Sequence, residues 1–195
     1  MTLDTLHDLL VSQLRDLHAA ERQVLLIWPQ LAQEATSPAL RLAIADHRQE
    51  TTLQVARLVE ALDLLGEGPD GPRSRGMEGL LVETLTLISA KGHAAVVDAA
   101  ILAGCLQVEG YELVGYGTAI ELADALGLDQ VVDLLSRTLV EEDAARRRLE
   151  MIARTEIHPA AGAAVVEVGP VDDGAIPITS APSRRRARRA SNQGT

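Results

Sequence analysis

Glu109 and Glu112 are the residues whose type and spacing first suggest chemistry. They lie within Leu102 to Ile120, LAGCLQVEGYELVGYGTAI. Apolar residues recur there at Leu102, Leu106, Leu113 and Ile120, with Cys105 and Tyr116 between them. Steps of three and four residues mark one face of a helix turned toward a core. Positions 109 and 112 fill the missing steps of that stripe. Three residues correspond to an angular offset of about 60° on an α-helix, so both carboxylates point the same way, inward. An unpaired carboxylate in a core costs several kcal/mol, so the pair needs protons, cations or a metal ion.

Three other stretches carry inward acids. The stripe Leu6, Leu10, Leu14, Leu17, Val24, Trp28 passes through Glu21. The stripe Leu40, Ala43, His47, Glu50, Gln54, Leu58, Ala61, Leu65 is polar at its centre. The stripe Val131, Leu135, Thr138, Glu142, Ala145, Leu149, Ile152 passes through Glu142 and leaves Glu141 at its edge. Four helices, each with a carboxylate facing one core, form the pattern of a carboxylate-bridged di-metal site. Two divalent ions bring four positive charges, which four or five carboxylates neutralise. Oxygen ligands with one imidazole suit iron, with manganese as the other candidate. Glu21, His47, Glu50, Glu109, Glu112 and Glu142 are the expected ligands, with positions left open for O2 or peroxide. The cations Arg22, Arg48 and Arg57 fall off the inward faces. Cys105 reads as inert core. Tyr111 and Tyr116 read as packing residues, with a hydrogen bond from Tyr116 to a bridging carboxylate as the alternative.

Long helices must position these groups. The pattern predicts a first helix starting near Thr2 or Asp4 and continuing through Pro29, because Leu31 and Ala32 carry on the stripe. Ser37 and Pro38 give a start signal for a second helix running to Leu65, closed by Gly66. A Gly/Pro loop over 66–76 precedes a short amphipathic helix over 77–89. A third long helix spans 94–126 with Gly127 at its end, and a fourth spans 130–153 with Asp129 as its cap. Gly104, Gly110, Gly115 and Gly117 within the third suggest close helix packing. Arg146, Arg147 and Arg148 read as a solvated face near a helix C-terminus, where cations are favoured.

The fold class expected is all-α. Leu, Ala and Val dominate the 47% apolar content, with no Phe and one Trp, which suits helix packing better than a sheet. Residues 1–154 hold 24 acids and 13 bases, and residues 155–195 hold 4 acids and 5 Arg. The acidic body argues against nucleic-acid affinity there. The lone Cys105 excludes an internal disulfide and a cysteine-built zinc site. The N-terminus MTLDTLHDLL has no basic leader, and no apolar run reaches about 18 residues, so the expectation is a cytoplasmic protein without a membrane span. Two regions are expected: a helical bundle over 1–154 and a disordered tail over 155–195, rich in Gly, Pro, Ala and Ser. Near its end the tail carries RRRARR; it reads as a solubilising segment, with charge neutralisation of phosphates on nucleic acid or of an acidic partner as the alternative, the one part of the chain that offers it.

The segments LHDLLVSQLRDLHAAERQ, ATSPALRLAIADHRQET, RGMEGLLVE, VEGYELVGYGTAIELADALG and TLVEEDAARRRL together resemble the YciE/YciF-type ferritin-like family of bacterial stress proteins. The resemblance runs over residues 2–153, and Val108 to Thr118 carries it most specifically. It implies a ferritin-like four-helix bundle with an additional short helix, a homodimer, and a rubrerythrin-like di-iron centre. It also implies Glu21, Glu50, Glu109, Glu112 and Glu142 as ligands. The chain departs from the Glu-x-x-His motif of ferritins: Leu53 and Ala145 stand where the histidines would be, and His47 precedes its glutamate. The alternative function is a non-catalytic helical dimer, or interaction scaffold, whose metal site has degenerated.

Overall fold

The computed structural model describes residues 3–90 and 92–164. The first helix, α1 (Leu6–Glu34), starts one residue beyond the expected caps. Thr5 is the N-cap: its hydroxyl accepts from the Asp8 N–H at 3.1 Å, and the Asp8 carboxylate accepts from the Thr5 N–H at 2.9 Å. This reciprocal pair satisfies two N–H groups that a helix start leaves open. Pro29 lies inside α1, which continues past it as the stripe requires. Ser37 caps α2 (Pro38–Leu64), accepting from the Leu40 N–H at 3.3 Å. Next come α3 (Arg75–Ile88), α4 (Ala94–Ala125) and α5 (Asp129–Ile152).

Gly66 and Gly127 terminate α2 and α4 with φ of 74° and 68°. Each sits in a turn where two N–H groups reach back to the last carbonyls. Gly66 bonds Asp63 and Glu67 bonds Leu62; Gly127 bonds Asp124 and Leu128 bonds Ala123. A side chain at either glycine would be strained in that left-handed conformation.

The four long helices close a bundle in which α1 packs on α2, α2 on α5, α5 on α4 and α4 on α1, while α3 lies against α4 and α1. Among the described residues there is no strand. Two apolar clusters fill the interior. One contains Trp28, Leu31, Ile44, Met77, Leu102 and Leu149. The other contains Leu10, Leu14, Leu58, Leu62, Tyr116 and Leu135. Between them lies a belt of buried polar side chains, described below.

The structure corrects two expectations. Helical structure does not stop at residue 154: a π-helical turn, Ala153–Ile157, leads into α6 (His158–Ala163). Ala153 and Ile157 are buried in the Trp28 cluster, which holds this extension against α4. Residues 165–195, with the Arg-rich segment, lie outside the described residues. The glycines of α4 also divide. A Cβ at Gly104 or Gly115 would meet Thr84 at 2.4 Å or Leu17 at 2.7 Å, whereas Gly110 and Gly117 have nothing within 4 Å. Helix α4 contains an 18-residue window of mean hydropathy 1.3, long and apolar enough by composition alone to cross a membrane. It packs here against α1, α3 and α5 as the bundle's core helix.

Candidate metal centre

Each long helix delivers at least one functional side chain to the belt at mid-height: Glu21 from α1, His47 from α2, Glu109 and Glu112 from α4, and Glu142 from α5. All four glutamates are fully buried, and His47 is 4% exposed. His47, Glu109, Glu112 and Glu142 form the tightest group: one ligand atom from each lies within 4.8 Å of all the others. His47 Nε2 stands 3.2 Å from Glu109 Oε1 and 3.6 Å from Glu142 Oε2. Glu21 flanks this group, and its Oε1 accepts from the Tyr116 hydroxyl at 2.6 Å. Tyr116 thus both packs in an apolar cluster and donates to a belt carboxylate.

Glu50 is placed differently. It sits on the rim of α2, with its side chain 31% exposed, 3.2 Å from His47 Nδ1 and 3.5 Å from Arg148 Nη2. The inward phase of α2 runs through His47, Thr51, Gln54 and Leu58, all buried. Glu50 and Leu53 are rotated away from it, and a histidine at 53 would face solvent, since Leu53 is itself exposed. Glu50 orients the imidazole: with an N–H at Nδ1 directed to Glu50, the Nε2 lone pair faces the belt.

The belt lacks the partners that buried acids require. Seven carboxylate oxygens have no hydrogen-bond partner among the described residues: Oε2 of Glu21 and both oxygens of Glu109, Glu112 and Glu142. His47 Nε2 has none either. The electrostatics follow from this. Burial, then the charge of Glu142, pushes the Glu21 carboxyl up to about 8. Burial likewise pushes Glu109 up to about 8, with Glu21 and Glu50 adding repulsion. Burial and neighbouring carboxylates hold Glu112 and Glu142 well above the usual range. A proton on Glu142 can be shared with Glu109. Burial disfavours the charged imidazole of His47, yet the Glu50 contact and the charges of Glu142 and Glu21 raise its affinity for a proton overall. Without a cation, therefore, the belt holds protons.

The donor set fits a metal. Four buried carboxylates and one imidazole, converging without donors to satisfy them, match an oxygen-rich site for iron or manganese. Cys105 is buried nearby on α4, and burial raises its thiol pKa, so it stays protonated as expected of inert core. The arginines do not compensate the belt. Arg57 grips Glu141 with two contacts of 2.6 and 2.7 Å, and Gln54 donates to the same carboxylate at 3.3 Å. The inward-facing stripe could not reveal this pair, because both residues lie on its edges. Arg146 and Arg147 pair with Asp143, and Arg146 also with Glu150, so the arginine run is less free than its solvated reading implied.

Comparison with known proteins gives a consistent outcome. Residues 5–162 match the family described as Domain of unknown function (DUF892). Protein YciF of Escherichia coli K12 is 31% identical over 163 residues, 81% of this chain and 96% of that protein. Its crystal structure, described as that of a stress protein, superposes with a TM-score of 0.75 over 77% of this chain and 96% of that one. YcfI of Rhodopseudomonas palustris is 36% identical, with the same TM-score and coverage. Dps of Thermosynechococcus elongatus, at 14% identity, superposes with a TM-score of 0.57 over 75% of this chain and 91% of its own. That likeness shows the fold alone, which is ferritin-like.

Proposed function

The chain belongs to the DUF892 family, and from that premise we propose that it is a ferritin-like di-metal carboxylate protein of the bacterial stress response. The observation that carries the reading is the set of seven buried carboxylate oxygens and one imidazole nitrogen without partners. Evolution of a merely structural core has no use for so many unpaired acids, since apolar residues of similar volume are at least as stable there. Iron is the first candidate, as a pair of ions, and manganese the second. Bound iron supplies Lewis acidity and electrons for the reduction of O2 or peroxide.

The chain's own residues prepare the site. Glu109, Glu112 and Glu142 give up their protons as they become ligands, so metal uptake competes with protonation. His47 must present Nε2 unprotonated, and Glu50 holds the tautomer that does so. Tyr116 fixes one oxygen of Glu21 and leaves the other for a ligand role. The apolar clusters on both sides keep bulk water from the belt. A homodimer in the cytoplasm completes the reading.

Anaerobic titration of the metal-free protein with Fe(II), followed by O2 or hydrogen peroxide, tests it. About two ions per chain, oxidised on exposure and lost in Glu109→Ala, is the expected result. An absence of stoichiometric uptake would favour the scaffold alternative, in which the belt stays protonated.

A further inference from the structure

A narrow slit among α1, α2, α4 and α5 touches the belt at His47 and Glu109; Trp28, Ile44, Cys105, Ala145 and Arg148 also line it. Its volume is about 10 Å³, room for roughly one water-sized molecule. Ala145 is central to this space. It stands three residues after Glu142, where the ferritin ligand motif places an imidazole. A methyl group there leaves only the small space of the slit.

Besides the two oxygens of Glu109, two polar atoms of the lining have no partner. The indole Nε1–H of Trp28 is buried without an acceptor, and His47 Nε2 is buried without a donor. The two rings meet edge to face, with centroids 5.6 Å apart. The rest of the wall is largely apolar, so a charged molecule would lose its hydration there at high cost. Arg148 stands at the outer end. It spans the slit to α2, with Nη2 3.5 Å from Glu50 and Nη1 4.0 Å from Asp46. These contacts are long and about one-third exposed or more, so swinging the guanidinium aside costs little.

We propose that this slit admits a small uncharged oxidant of two heavy atoms, dioxygen or hydrogen peroxide, to the belt. Ala145 sets its size, and Arg148 is its gate. The inference rests on the metal-site reading for its chemistry, but the slit itself can be tested without metal.

Trp28 is the only tryptophan of the chain, so its fluorescence reports on the slit alone. In metal-free protein, Arg148→Ala is expected to raise quenching by acrylamide several-fold, and Ala145→Leu to lower quenching by dissolved oxygen. Ala145→Val serves if the leucine variant does not fold. In iron-loaded protein, Ala145→Leu is expected to keep its metal and to slow oxidation by whichever of O2 and hydrogen peroxide uses the slit. Arg148→Ala is expected to admit tert-butyl hydroperoxide, which the wild type excludes. Equal quenching in wild type and all variants would overturn the slit. Altered quenching in a protein that binds no iron would keep the slit and overturn the metal reading instead.

Discussion

Helix α4 carries buried carboxylates in two places, and they are treated in opposite ways. Asp98, near its N-terminal end, is 4% exposed and fully partnered. Its oxygens accept from the Thr36 N–H at 2.7 Å, the Thr36 hydroxyl at 2.6 Å and the Ser37 N–H at 2.9 Å. These bonds tie the α1–α2 turn to α4. Three to four turns along the same helix, about 16 and 21 Å away, Glu109 and Glu112 are just as buried and have no hydrogen-bond partner among the described residues. The fold can therefore satisfy a buried acid where it needs one for structure. Three acids without partners, and a fourth with one free oxygen, lie in one layer, and the proposed metal site rests on that contrast.

Asp98→Ala should have the largest effect on stability. It removes the acceptor of two N–H groups and a hydroxyl in the half-buried turn that joins α1 to α2. A loss of about 3 kcal/mol is expected in urea unfolding, at the scale of hydrogen bonds to a charged group. The belt should respond with the opposite sign. Glu112→Met replaces an orphaned acid with an apolar side chain of similar length, so metal-free protein should gain about 1–3 kcal/mol in the same assay. The same substitution should abolish metal uptake. A destabilised Glu112→Met with intact metal affinity would erase the contrast between the two regions.

The pH dependence sharpens the comparison further. Glu21 and Glu109 lose their protons near 4.5 when unfolded and near 8 when folded. The folded chain thus binds more protons between those values, and stability falls as pH rises through that window. His47, whose affinity for a proton is also raised by folding, adds stability at low pH that is likewise lost on the way up. Metal-free protein is expected to be more stable at pH 5 than at pH 8 by urea midpoint. Saturating Mn(II) should remove or reverse that slope, because the metal displaces the protons. The smallest effect belongs to Arg57→Ala. Its bidentate pair with Glu141 is partly exposed, so a loss of about 1 kcal/mol or less is expected, with metal affinity unchanged.

Much of this was legible in the sequence, for identifiable reasons. Helix breaks at Ser37-Pro38, Gly66 and Gly127 have local chemistry that dictates them. The acids at 21, 109, 112 and 142 betray themselves by falling in phase with leucines. The rest depends on contacts that no local pattern encodes. Asp98 serves backbone groups 61 and 62 residues earlier in the chain. Glu50 is only about 60° from the true inward line of α2, a difference too small for a stripe of mixed polar residues to resolve. The helix beyond residue 154 is anchored by Ala153 and Ile157 across a π turn, which breaks the 3.6-residue period on which the reading relied.

The most direct test is a crystal structure of the protein soaked in Mn(II), with anomalous difference maps at the manganese edge. The expected result is a pair of peaks in the belt, ligated by His47 and by Glu21, Glu109, Glu112 and Glu142, with Asp98 bearing none. Peaks confined to surface acids, over a belt whose carboxylates remain unligated, would contradict the claim that these side chains are kept unpaired for a metal.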